Sequence, residues 1–324
     1  MSLLGNLMRA GRIGLGRSTA VRFLRLRTRY PGLAADPSAN LLVEGRFEYA
    51  DGVVLAEGSN VIVPKGATLR LGQGCYVGRY AELGPLGSMD VGDRTSIQDR
   101  SILVCDVSLR RYCMLSLNVL MTSGVHYFDR WPHLLIRDQD RRVSESAEQS
   151  SAHSRPIVVD DDCWLGMNAV VSPGVHVGRG CVIGANSVVT HDLPPYSVAA
   201  GTPARIIRQR LEFVPPARID WREALHYPYF YGGFLLAEDE RARNANLEGH
   251  LGLPRFALWL AAGEEIRIRA RCARGNQVRL ECSGTSVDVS PDWAEYRFPR
   301  SSPGGPEWFS AASGNVVVSE AWVA

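Results

Sequence analysis

No apolar run in these 324 residues reaches the roughly 18 needed for a membrane-spanning helix. The seven cysteines contain no CxxC or other metal-type spacing, so no metal site is expected from them. Cys272 and Cys282 could pair, but the odd total favours thiols in a reducing compartment, and a cytoplasmic location is expected. Neither sign of charge dominates: 36 basic against 34 acidic residues leave a net +2, and no nucleic-acid partner is expected. One local absence stands out. No acid precedes Asp36, whereas Arg9, Arg12, Arg17, Arg22, Arg25, Arg27 and Arg29 do.

What the chain does have is a beat of six. Val159, Leu165, Val171, Val177, Ile183 and Val189 recur without a slip, and a slim residue stands four places after each of the first five: Cys163, Ala169, Val175, Cys181 and Ser187. Leu71, Val77 and Leu83 keep the same step. Two extra residues intervene near Gly87, and Val91, Ile97, Leu103, Leu109, Leu115 and Met121 resume it. Six is neither the 3.6 of a helix nor the 2 of an alternating strand. It is the period of a solenoid in which three hexads close one triangular coil and coils stack as parallel strands. About thirteen hexads predict four to five coils and a column roughly 20 Å tall. Glycine often follows the aliphatic position (Gly72, Gly78, Gly84, Gly92, Gly166, Gly178, Gly184), which predicts positive φ there.

The chain reads as a basic, partly helical segment over 1–45, a solenoid over 46–212, a linker over 213–254 and a second domain over 255–324. The first segment is expected to cap the column, and its basic amphipathic character also suits an anionic membrane surface. From about 255 the pattern turns to period two, with strands predicted at Glu265–Cys272, Gln277–Cys282, Ser286–Val289, Glu295–Phe298 and Asn315–Val323. Their spacing predicts a small β-sandwich. The aromatics Trp221, Tyr227, Tyr229, Phe230 and Tyr231 are expected to pack between the two domains, with a glycan platform as the alternative.

The beat stops after Met121 and returns near Ile157, leaving an inserted loop over 122–156. A loop this long in a compact domain points to function or disorder. His126 stands just past a regular strand, anchored at its base and projecting outward, a suitable place for a general base. Asp129 could orient its ring. His133, His153 and His176 are read as ordinary solvated residues.

The stretch from Asp160 to Arg208, with CWLGMNAVV and ANSVVTHDLPPYSVAAGTPAR, and the upstream SGVH loop resemble the hexapeptide-repeat O-acetyltransferases. These include galactoside and maltose acetyltransferases and enzymes that acetylate polysaccharides. The resemblance covers roughly residues 60–210. It implies a mainly β fold, a left-handed parallel β-helix with the appended sandwich-like domain, assembled as a homotrimer with sites between neighbouring columns. It also implies acetyl-CoA as co-substrate, no metal, and direct attack of an acceptor hydroxyl with His126 as base. By the same resemblance Trp164, Met167, Ala185, Thr190, Arg205 and Arg208 would contact the coenzyme, and Gln98 and Asp99 would face the acceptor. His191 stands where the family commonly has lysine, so no phosphate contact is assigned to it.

The acceptor expected is a saccharide hydroxyl, on a cell-surface polysaccharide, a lipopolysaccharide or a precursor. The alternatives are a small-molecule acceptor such as an antibiotic, or a non-catalytic scaffold for glycan or protein binding. A zinc enzyme on this fold, of the γ-class carbonic anhydrase type, needs two histidines five residues apart on one strand edge, and none of the seven has that spacing.

Overall fold

The computed structural model describes residues 24, 26–145, 154–235, 250–273, 277–300, 304–312 and 315–324. Most of the basic N-terminal segment, with its expected membrane contact, and His153 lie outside them. The chain forms two compact units, Met1–Arg210 and Leu211–Ala324.

The first unit is a three-sided parallel β-helix. Its first face stacks Ala34–Ala35, Val54–Leu55, Tyr76–Val77, Ser96–Ile97, Met114–Leu115, Trp164–Leu165, Val182–Ile183 and Ser197–Gly201. The second face holds Asn40–Val43, Asn60–Val63, Glu82–Leu83, Ile102–Val104, Leu120–Thr122, Val170–Val171 and Val188–Val189. The third holds Arg46–Tyr49, Thr68–Leu71, Ser88–Val91, Val107–Leu109, Ile157–Val159 and His176–Val177. Strands this short are held by stacking, each coil supplying backbone partners to the next. In register, Leu55, Val77, Ile97, Leu115, Leu165 and Ile183 form one continuous buried row along the first face.

The column is taller than expected. Its six-stranded third face makes six complete coils, and they begin at Ala34, not at 46. Eight parallel strands on the first face at about 4.8 Å spacing span roughly 34 Å. The early coils escaped notice because they exceed three hexads: Ala34 pairs with Val54 and Val54 with Tyr76, whereas Ser96 pairs with Met114. Corner residues absorb the extra length outside an unchanged interior.

The glycine expectation also needs correcting. Gly72, Gly78, Gly92, Gly166, Gly178 and Gly184 do not have positive φ; the left-handed residue lies two places on, at Gly74, Tyr80, Arg94, Asn168, Gly180 and Asn186. These six positions exclude a Cβ for another reason. At Gly78 it would lie 2.6 Å from the Asp99 backbone nitrogen, and at Gly166 2.6 Å from that of Ala185. The coils approach each other too closely at these two corners, after the first and the third faces, for any side chain.

All seven cysteines are buried thiols. Burial pushes Cys75 and Cys282 up to about 11 and Cys105 and Cys181 up to about 12, so they are inert space-fillers.

The second unit is a single curled antiparallel sheet. Its main path runs, in order, Thr285–Val289, Val278–Cys282, Gly305–Ala311, His250–Leu260, Val316–Val323, Glu265–Cys272 and Ala294–Pro299, with Arg218–Asp220 and Gly232–Leu235 as side strands. The curl brings the two end strands near each other and encloses Phe230, Phe256, Phe298 and Phe309. The expected linker is therefore part of this unit. Its aromatics pack within it: Phe230 lies edge-on to Phe234, and Phe213 stacks on Trp259 at 4.2 Å. Two strands of the main path lie outside the period-two pattern. Pro254 interrupts His250–Leu260, whose first residues pair with Val316–Val318 and whose last pair with Gly305–Ser310. Gly-Pro at 305–306 disguised the start of the other as a turn.

Candidate active site

The insertion leaves the column at the corner between the second and third faces, after Leu120–Thr122 and before Ile157–Val159. Its base is tied shut. Gly124 bridges Ser154 antiparallel, the Ser123 and Ser154 hydroxyls lie 2.8 Å apart, and Ser123 Oγ accepts the Asp106 N–H at 2.7 Å. Just beyond this tie stands His126, with 83% of its side chain exposed.

The carboxylate that orients it is Asp140, not Asp129. Asp140 Oδ2 lies 2.7 Å from His126 Nδ1, while Oδ1 accepts the Tyr127 backbone N–H at 2.8 Å. One carboxylate thus holds both the ring and the chain that carries it. Asp129 is exposed and does not reach the ring. Asp140 belongs to a helix, Ile136–Ser144, inside the insertion (α1). The helix docks through buried Val143 and Gln139; Gln139 Oε1 accepts the Trp131 N–H at 3.0 Å and its Nε2 donates to Leu134 O at 3.2 Å. Nothing in the local pattern of QDRRVSES marks Asp140, because its partnership arises only when the insertion folds back on itself.

Gln98 and Asp99 sit at the corner between the first and second faces. Asp99 is committed structurally: Oδ1 accepts the Arg79 backbone N–H at 2.8 Å, and Oδ2 pairs with the Arg79 guanidinium. The Arg79 N–H and guanidinium hold its carboxyl below the usual range. Asp93, Asp161 and Asp192 accept backbone N–H groups of Gln73, Arg111 and His176 in the same way. Asp99 is therefore one of a set of corner clamps.

The residues expected at the coenzyme divide. Trp164 projects from the first face, half exposed, with its Nε1–H donated to Ser116 Oγ at 3.1 Å; exposed Met114 is its register neighbour. Exposed Met167 and Ala185 lie at the adjoining corner, beside the ladder in which Asn118 donates to Asn168 and Asn168 to Asn186. Asparagine suits these positions because it tolerates the left-handed conformation while linking successive coils. Arg205 and Arg208 are exposed on Ala204–Gln209, which runs antiparallel to Ser197–Gly201 of the first face. Thr190 is the exception. It follows Val188–Val189 at the corner from which the insertion leaves, and its hydroxyl lies 2.8 Å from His191 Nδ1. The fold thus gathers Trp164, Met167, Ala185, Arg205 and Arg208 along one side and places His126 at the opposite edge of the second face. Among the described residues no group of three or more His, Cys, Asp or Glu side chains could hold a metal ion.

Residues 156–191 match the family model described as the hexapeptide repeat of succinyl-transferase. That segment of the column carries the hexapeptide repeat. A stretch of 65 residues is 45% identical to galactoside O-acetyltransferase of Escherichia coli (strain K12), covering 20% of this chain and 32% of that protein. A stretch of 57 residues is 46% identical to a 2,3,4,5-tetrahydropyridine-2,6-dicarboxylate N-acetyltransferase of Staphylococcus aureus (strain JH9), covering 18% and 24%. The chain thus spans about a third or less of the length of these curated relatives. A hexapeptide-repeat acetyltransferase from Vibrio cholerae O1 biovar eltor, solved with acetyl coenzyme A, is 26% identical with a TM-score of 0.35, over 44% of this chain and 70% of that one.

His176 has a different use of its carboxylate partner. Its Nε2 lies 2.9 Å from Asp160 Oδ2, whose other oxygen pairs with Arg110 Nε at 3.1 Å. The bond to Asp160 raises its pKa above the ordinary 6.5. A raised folded pKa contributes stability that is fully present below the unfolded value and is lost as pH rises through the folded one. The melting temperature of the protein is expected to fall as pH rises from 6 upward through that value. His176→Gln should flatten this slope, and an identical slope in the variant would contradict the assignment.

Proposed function

We propose that the protein is an acetyl-CoA-dependent O-acetyltransferase acting on a saccharide hydroxyl, assembled as a homotrimer. The observation that carries the reading is the His126–Asp140 pair on a loop tied to the edge of a hexapeptide-repeat column. A carboxylate on Nδ1 favours the tautomer with the proton on that nitrogen, leaving the Nε2 lone pair as a base. An alcohol is far too weak an acid to ionise near neutrality, so its proton must leave as the new C–O bond forms. His126 Nε2 takes that proton while the hydroxyl oxygen attacks the thioester carbonyl. The C–S bond then breaks, and the imidazolium returns the proton to the departing thiolate.

The residues along the first face fit the coenzyme by chemistry. Trp164, Met114 and Met167 offer an exposed apolar strip to a pantetheine arm, and Arg205 and Arg208 offer guanidinium groups to phosphates. The strip and His126 stand at opposite edges of the second face of one column, so a site joining them needs a neighbouring copy, and the trimeric reading meets that need. The relative named galactoside O-acetyltransferase supports a sugar hydroxyl as acceptor.

Incubating the protein with acetyl-CoA and a panel of neutral and acidic oligosaccharides is expected to give products heavier by one acetyl group. Asp140→Asn should slow that transfer at least about tenfold, part of the roughly 10²–10⁴-fold that a positioned base supplies. The loss should fall on kcat, whereas Asp129→Asn should leave the rate unchanged. A panel without acetylated product, with free coenzyme released only by hydrolysis, would refute the assignment.

A further inference from the structure

We infer that the second unit carries a binding site of its own for an acidic saccharide, one bearing a uronate-type carboxylate. The site is a hollow of about 300 Å³ lined by Trp221, Arg222, Arg269, Trp293, Ser319 and Glu320. That volume stands at the lower limit of small-molecule pockets and suits one sugar ring with parts of its neighbours.

A break in the sheet creates the hollow. Arg269 pairs with Glu320 and Ala270 with Val318, so Ser319 is the extra residue of a β-bulge. Its hydroxyl donates to Arg269 O at 3.2 Å, and its carbonyl accepts the Trp221 N–H at 2.9 Å. Bulges re-aim side chains and interrupt pairing next to binding sites. Here the bulge sets an indole on one side, with Trp293 as the other aromatic wall.

The charges are arranged unequally. Glu320, largely buried, is held by Arg218 Nη2 at 3.1 Å and Arg222 Nη2 at 3.3 Å. Arg222 is further fixed by a two-pronged bond to Asp220, at 3.0 Å and 2.7 Å. Arg269 is different. It approaches Glu320 only to 4.0 Å, outside hydrogen-bond range, and its side chain is 53% exposed. On the same strand Arg267 is by contrast bound to Glu265 at 2.7 Å. The hollow is thus lined by two guanidinium groups, Arg222 and Arg269, against one carboxylate, Glu320, and Arg269 has a planar fork to give. A ligand carboxylate would complete it. Two indoles beside that fork select a saccharide over a bare anion, because the C–H faces of a sugar ring bury well on aromatic surface while its hydroxyls remain in water. This inference does not depend on the transfer reaction, and its test omits acetyl-CoA.

Calorimetric titration of the full chain with a galacturonate tetramer is expected to show saturable binding. A neutral glucose tetramer and a tetraglutamate peptide should show none. Arg269→Gln, at an exposed position where folding is unaffected, should weaken binding about tenfold or more, the equivalent of one charge-assisted hydrogen bond. Arg269→Lys should fall between the two, since it keeps the charge and loses the fork. An unchanged melting temperature of both variants ensures that the loss reports the site. No heat with the galacturonate tetramer, equal binding of the neutral tetramer or the peptide, or undiminished binding by Arg269→Gln would each overturn the proposal.

Discussion

His126→Ala is expected to lower acetyl transfer by roughly 10²–10⁴-fold, the range ascribed to a positioned general base. The loss should fall on kcat, with acetyl-CoA affinity and the assembly state unchanged, because the ring is exposed and contributes nothing to the packed interior. Its only cost to the loop is the bond to Asp140, and that carboxylate keeps its second anchor, the Tyr127 N–H. Turnover of His126→Ala equal to wild type would remove the ring from the mechanism while leaving the column intact.

The second large effect concerns stability. Gly178→Ala is expected to cost about 3 kcal/mol or more, at or beyond the upper end of typical overpacking penalties. Its Cβ would lie 2.5 Å from the Pro195 nitrogen and 2.8 Å from the Leu193 carbonyl oxygen. Both are main-chain atoms, so no rotamer change can relieve the contact, and Gly178 N–H already donates to that same carbonyl at 2.8 Å. Gly66→Ala is the matched control. Gly66 has φ +85° with nothing within 4 Å of an added Cβ, so only the left-handed backbone penalty of about 1–2 kcal/mol applies. Chemical denaturation followed by circular dichroism separates the two. A smaller loss at Gly178 than at Gly66 would mean that the coils are not in such close contact.

This pair of glycines illustrates what the sequence makes legible and what it hides. The beat of six located the interior rows correctly, since Leu71, Val77 and Leu165 are buried as that period requires. It also showed where glycine recurs, but not why, because the reason lies in the adjoining coil rather than in local backbone torsion. The early coils were illegible because their corners hold extra residues, and a strict period cannot tolerate them. In the second unit, alternation found strands such as Glu265–Cys272 exactly and missed His250–Leu260, where proline and glycine mask a strand that changes partners midway. At the candidate site, the place of His126 just past a regular strand follows from the beat of six. The partnership with Asp140 does not, since the two are fourteen positions apart and meet only in the folded loop.

The serine tie at the foot of the insertion has an evolutionary corollary. Because Ser123 and Ser154 close the detour before it disturbs the stack, Met121 and Ile157 occupy the interior as though nothing stood between them. Whatever is spliced in beyond that clasp can lengthen, shorten or change composition at little thermodynamic expense to its support. The loop is therefore a detachable module, exchangeable with the stacked framework left untouched.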